Sequence, residues 1–539
     1  MATSTRCPNA GEPVAAAGWK ITRVVNPSPL YGSNGMRLGP DGWLYVTQVF
    51  GSQITAIDPA TGELRIVSAR GGPIVSPDDL AYDSKGVMYI TEYLNQRVCA
   101  RMPNGEVRVI SDQVPGANGI TVHNDRLFVD ECRAGGRLLE LFPDGRAPRL
   151  MADGLAMPNA CAVGPDGLLY FPEVLSGDIW RVPLNGGERE RFLNGLHTPP
   201  ALKFDNRGAL MVLESHTGDV TRIDLQSREK TRFATLESGL DNFVIAPDDR
   251  VFVSSFAHGG LWEIAPDGQS KVLLPHGLIG PWDLTWAGQT LFIGDGPSLI
   301  RTRAQGGWDR AGWVGDPGFP GMIRGLCAGP GRALHLTTTV GSIATFDPDT
   351  HSAEVLASGL DRPLGIDRSP RGSLIAAENG SGRILEITQG KEPKPLASGL
   401  NFPTGVATAP DGGCYVSETG AHRVVRIDGG TEVLAEGLDT PQGLAVAGDA
   451  LFVLDAGARQ LLEIGLKDRS RKLVASNLPV GSGGGLPVKP MPGIPGIFPG
   501  PFVPFAGVAA GPVERASLPV IYIAGDADGS VLALTRNAR

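Results

Sequence analysis

Five amide and carboxylate side chains recur at the same place in a repeated motif. Asn34, Asp78, Asn118, Asn159 and Asp241 each stand just ahead of a short apolar run, at intervals of about 40 residues. Pro200 fills the equivalent place between the last two, and Asp79 and Asn242 adjoin two of them. If the repeat closes into a ring, these oxygens crowd around one axis. Hard cations such as Ca2+ take six to eight oxygen ligands from this residue set. The matching positions further along are Trp282, Arg324, Leu364, Thr404 and Gln442, with a sixth hidden in an insertion. They form no such cluster, and Arg324 would repel a cation. One Asn ahead of a Gly is by itself an ordinary turn residue. The competing reading of the whole set is a polar, water-filled channel.

A second set of positions carries acids: Gln48, Glu92, Glu131, Glu173, Glu214 and Ser255, then Asp295, Thr338, Glu378, Glu418 and Asp455. Acids recur in both halves, so most are expected to bind turn amides. Three of the eight histidines stand close to this set. His216 follows Glu214, His258 follows Ser255, and His197 precedes Pro200. Histidine is the natural general base near neutrality. The candidate catalytic residues are therefore His216, His258, Asp79, Glu214 and His197.

The elements that must position these groups are short strands. Segments such as GPDGWLYVTQVFGSQITAID, DSKGVMYITEYLNQRVCARM and APDGGCYVSETGAHRVVRI repeat twelve times, each with alternating apolar residues between turn signals. A fourth strand follows most copies. Four antiparallel strands per repeat is the pattern of a propeller blade, and propellers usually have four to eight blades. The expected fold is all-β: twelve four-stranded blades, arranged as two six-bladed β-propellers in tandem. Residues 1–278 are assigned to the first ring and 279–539 to the second. The segment 19–25 (WKITRVV) reads as an outer strand that would complete the last blade and remove an open edge. Residues 479–516 are a Gly/Pro-rich insertion with Met491, Phe498, Phe502 and Phe505, read as a packed loop or a lid.

Composition agrees. The 539 residues include 74 Gly and 44 Pro, which disfavours long helices. Charged residues are 19% and apolar ones 42%, which excludes charge-driven disorder. The net charge of −9 argues against a nucleic-acid partner. Six cysteines form no Cys-x-x-Cys pair. No secretory leader or membrane-spanning run is evident, so the expected address is cytoplasmic and the expected partner a small-molecule substrate. There is no Gly-x-Ser-x-Gly elbow, Walker loop or His-Glu-x-x-His motif.

The segments SPDDLAYDSKG, PGANGITV, MPNACAVGPDG and GLDNFVIAPDD resemble the senescence marker protein/gluconolactonase family and, more distantly, paraoxonases and strictosidine synthase-like proteins. The resemblance implies one divalent metal, expected to be Ca2+ with Mg2+ or Zn2+ as alternatives. Asp78, Asn118, Asn159 and Asp241 would hold it, with Asn34 and Asn242 as further candidates. It implies hydrolysis of a lactone or similar activated carbonyl. The family's early axial Glu has no counterpart here, and Ala160 and Asp79 replace the usual Gly. A resemblance to virginiamycin B lyase, which pairs a metal with a rim histidine, implies elimination instead. A non-catalytic interaction platform is the third reading.

Overall fold

The computed structural model describes residues 6–7, 11–481, 505–512 and 519–537. Apart from one 3-10 turn at Thr419–Ala421, every regular element among them is a β-strand. The strands form twelve antiparallel meanders, each with its first strand innermost.

The chain divides into two units. One spans Leu30–Gly277 and holds six blades. Their inner strands run from Met36–Leu38 to Leu240–Ile245, and these two touch each other, so the ring is closed. The other unit holds six blades from Pro281 onward, together with the segment up to Pro29. Its inner strands close in the same way, Pro281–Ala287 lying against Val508–Ala510. The fold is thus a pair of six-bladed propellers. The first ring starts at Leu30 and not at the first residue, because the segment before it belongs to the second ring.

That segment supplies two outer strands. Val14–Ala15 extends the blade of Pro441–Ser476 as a fifth strand. Trp19–Val25 pairs with Ser530–Arg536, with Trp19 opposite Arg536 and Ile21 opposite Leu534. Trp19 also meets Phe452 edge to face at 5.9 Å. The hydrophobic gain is local: Trp19 and Ile21 pack on a buried cluster that includes Leu532, Leu534 and Phe452. Of residues 479–516, read as a packed loop or a lid, only 479–481 and 505–512 are described, and Val508–Ala510 there is the inner strand of the last blade.

Blades are held side by side by apolar clusters drawn from neighbouring pairs. Met36, Leu44, Val46 and Ile57 of the first blade pack on Val244, Phe252 and Leu261 of the sixth. Each fully buried side chain of this size contributes about 1.5–3 kcal/mol. A hydroxyl latch adds direction. Thr91 Oγ1 donates to the Asn118 carbonyl of the next blade at 2.6 Å, and Thr47 does the same to Asp78. Ser254 reaches the Asn34 carbonyl at 2.5 Å and closes the ring. Thr337 and Ser417 repeat the device on Leu364 and Gln442 in the second ring. These latches fix the backbone of the axial residues, and so aim their side chains.

Candidate functional site

A ladder of amides defines the axial positions. In three places the N–H one residue after an axial position donates to the next axial carbonyl, as Gly35 N does to Asp78 O at 2.7 Å. In the second ring Gly443 N bonds Ala506 O, and Gly507 N bonds Trp282 O. The sixth axial residue of that ring is therefore Ala506.

In the first ring Asn34, Asp78 and Asn118 are buried at the axis, and Asn159 and Asp241 are partly so. Burial, then the Asp241 carboxylate, raises Asp78 well above the usual carboxylate range. Burial also pushes Asp241 up to about 7, against a hydrogen bond from Asn34 Nδ2 at 2.9 Å. No Arg or Lys among the described residues pairs with either. Asp78 thus faces the Asp241 carboxylate as a like charge, with the amides of Asn118 and Asn159 on two of the three blades between them. A hard divalent cation would relieve that repulsion, and an all-oxygen set suits Ca2+ or Mg2+ better than Zn2+. The described residues hold no group of three His, Cys, Asp or Glu placed for one ion, so the ligand set has to draw on the amides.

Three of the residues named from sequence are engaged elsewhere. Asn34 spends Nδ2 on Asp241 and Oδ1 on Val49 N–H, so it positions a carboxylate. Asn242 Oδ1 accepts from Phe243 N–H at 2.8 Å, a local backbone cap. Asp79 is fully buried; its carboxylate accepts from Leu80 N–H and Ile120 N–H and lies 3.6 Å from Arg37. It staples two blades, as Asp283 does in the second ring through Leu284 and Leu326 N–H. Asp79 is in no position to activate water.

The rim acids repeat one structural role. Glu173, Glu378, Glu418 and Asp455 accept from the backbone N–H of Ala156, Asp361, Asn401 and Asp439, the turn leading into their own blade. Glu214 takes the His197 N–H in the same way, and its Oε2 also lies 3.0 Å from His197 Nδ1. Thr221 donates to its other oxygen at 2.8 Å. A buried carboxylate on Nδ1 fixes the proton there and turns Nε2 outward as an acceptor. The His197 side chain is 65% exposed, and it is the one candidate histidine with this arrangement among the described residues. His216 is exposed without a described carboxylate partner. His258 is buried against Trp262 and His276, with Glu237 3.3 Å from Nε2.

Sequence comparison missed Tyr93 and Cys132. Each follows a rim acid. Tyr93 Oη donates to Cys132 O at 3.3 Å, and the Cys132 thiol touches the Asn118 side chain. Burial first, then neighbouring carboxylates that include Asp78 and Asp241, raise the thiol well above its usual range. The signal available was the residue after the acid in each copy. It also missed acids inside the second channel. Asp283 and Asp367 line a cavity of about 200 Å³ with Trp286, Cys327 and Thr408. Burial pushes Asp283 up to about 8. At that ring's mouth, burial lowers Arg324 to about 9, and its guanidinium stacks 4.2 Å over Trp282.

Comparison with known proteins gives the following. No protein-family profile matches the chain. It is 27% identical over 282 residues to a gluconolactonase of Zymomonas mobilis subsp. mobilis, covering 51% of this chain and 64% of that protein. The chain thus spans just under two thirds of that relative's length. A solved streptogramin B lyase is 17% identical, with a TM-score of 0.39 over 51% of this chain and 94% of its own. Regucalcin, a calcium-binding protein from Agrobacterium tumefaciens, is 18% identical, with a TM-score of 0.36 over 43% of this chain and 84% of its own. No helix among the described residues is long and apolar enough to cross a membrane.

Proposed function

We propose that this protein hydrolyses a lactone or a related activated ester at the axial mouth of the first ring. The observation that carries the reading is the repelling pair Asp78 and Asp241, buried at an axis lined with amides. The similarity to a gluconolactonase supports the substrate class.

Asp78 and Asp241, with the amides of Asn118 and Asn159, would hold a divalent ion, Ca2+ being the first choice. Such an ion supplies Lewis-acid polarisation of a carbonyl. The chain's own residues supply the remainder. Asn34 holds the Asp241 carboxylate in place through Nδ2. Glu214 orients His197 so that Nε2 can accept a proton from water. That proton then passes to the alkoxide released when the ring C–O bond breaks, leaving a hydroxy acid.

The test is initial-rate hydrolysis of aldono-γ- and δ-lactones by a pH-indicator assay, with and without chelation and Ca2+ restoration. Asp78→Ala and Asp241→Ala are expected to abolish turnover while the folded state persists. Unchanged rates in both variants refute the assignment. Product mass separates hydrolysis, which adds one water, from the elimination expected of a streptogramin lyase.

A further inference from the structure

The two rings share one carboxylate device, and only the first equips it with a cation of its own. In the first ring Asp79 accepts from Leu80 N–H and from Ile120 N–H of the next blade. The preceding blade contributes Arg37, the third residue after axial Asn34. Its guanidinium lies 3.6 Å from Asp79 and donates to the Ile120 carbonyl at 2.8 Å. In the second ring Asp283 stands in the same register. It accepts from Leu284 N–H at 2.9 Å and from Leu326 N–H of the next blade at 2.8 Å. The third residue after axial Ala506 is Ala509, so the preceding blade brings no guanidinium.

A cavity takes the place of that side chain. Asp283, Leu326 and Ala509 line the channel space of about 200 Å³, together with Thr285, Asp367 and Trp286. One water needs only about 10–15 Å³ of such space, so a ligand of several heavy atoms fits. Neither Asp283 nor Asp367 forms an ion pair with an Arg, Lys or His among the described residues. Asp367 accepts from Thr408 N–H at 2.7 Å and from Thr408 Oγ1 at 2.8 Å. These neutral donors position the two carboxylates without cancelling their charge, and a buried charge without a counter-ion is costly. Burial accordingly pushes Asp283 up to about 8.

We infer that the second-ring channel binds a small guanidinium compound, seated beside Asp283 as Arg37 is seated beside Asp79. Its N–H groups would donate to Asp283 and to the Leu326 carbonyl, the counterpart of Ile120. Asp367 adds negative charge in the same cavity. The site stands apart from the proposed lactonase chemistry, since every residue lining it belongs to the second ring.

The experiment uses methylguanidinium on the full chain, with N-methylurea as its neutral isostere and ethylammonium as a non-planar cation. Isothermal titration calorimetry is expected to show binding of methylguanidinium and none of N-methylurea. At ten times its dissociation constant, methylguanidinium should raise the second ring's unfolding midpoint by about 3–6 °C. Asp283→Asn should weaken binding by about tenfold or more. Ala509→Arg, which supplies the guanidinium from the chain itself, should abolish binding. If Asp283→Asn does not fold, Ala509→Arg and Asp367→Asn carry the comparison, and Asp367→Asn should also bind more weakly. No binding by the wild type, unchanged binding by Ala509→Arg, or ethylammonium bound as tightly as methylguanidinium overturns the inference.

Discussion

Replacing Asp241 with Asn probes the cost of burying a carboxylate at the axis. In the folded ring this carboxyl is raised from 3.8 to about 7, by burial first, with the Asn34 bond acting in the opposite direction. A raised carboxyl binds its proton more tightly when folded than when unfolded. Its cost is therefore absent below about pH 4, grows as pH rises through the window to about 7, and is constant above that. Three pKa units correspond to at most about 4 kcal/mol of lost stability in the metal-free protein. The substituted amide keeps an oxygen for Asn34 Nδ2 but carries no charge. With chelator at pH 8, the first ring's unfolding transition should lie higher in Asp241→Asn than in the wild type, by up to about 8–16 °C at 2–4 °C per kcal/mol. At pH 4 the two should coincide. Added Ca2+ should raise the wild-type transition and leave the variant much less affected. Differential scanning calorimetry across this pH range reads all three. A variant that is equally or less stable than the wild type at pH 8 in chelator refutes the claim that burying this carboxylate at the axis costs stability.

His197→Asn should lower the turnover of a lactone by about 10²–10⁴-fold, while Glu214→Gln should lower it less and distort the pH profile; steady-state rates from pH 5 to 9 measure both, and unchanged rates exclude the pair from the reaction. Thr91→Val should cost about 1–3 kcal/mol in the first ring, because the hydroxyl bridges Asn118 O at 2.6 Å and Asp79 N–H at 2.9 Å; chemical denaturation reads it. Converting Trp19 to Ala should destabilise the second ring and leave the first unchanged, since Trp19 packs on Phe452 and under Arg536; two-transition calorimetry separates the rings.

The blades were legible because each copy is a local statement. Alternation such as LYVTQ and turns such as Pro-Asp-Gly need only their neighbours to be understood. Asp41 shows why: its Oδ1 accepts from Trp43 N–H, and Gly42 takes φ 81° in the same turn. The axial residues were legible as a type but not as roles. Asn34, Asp78 and Asn242 read alike in sequence, yet Asn34 is a positioning group and Asn242 a backbone cap. What separates them is which hydrogen bonds the adjoining blade offers, and the sequence does not display that. That Glu214 and His197, both candidates from sequence, pair with each other was hidden for a related reason. Glu214 belongs to a series of turn-binding acids, and only the side chain preceding Pro200 in this blade turns the common device into an oriented imidazole. Tyr93 and Cys132 escaped because they stand one residue beyond the rim acids, at a place where the residue type changes from copy to copy.

The pairing of Trp19–Val25 with Ser530–Arg536 has a consequence for how the molecule is made. On the ribosome the strand Trp19–Val25 emerges early, carrying an apolar face and unpaired amides, and its partner emerges some 500 residues later. At about 5–20 residues per second that wait lasts on the order of half a minute to two minutes. The Leu30–Gly277 ring draws every strand from a contiguous stretch and can be finished within that time. The other ring is a late product by construction, because its last blade cannot exist until Ser530–Arg536 has left the exit tunnel. Over that interval the waiting strand is the exposed edge that a holding chaperone would have to shield.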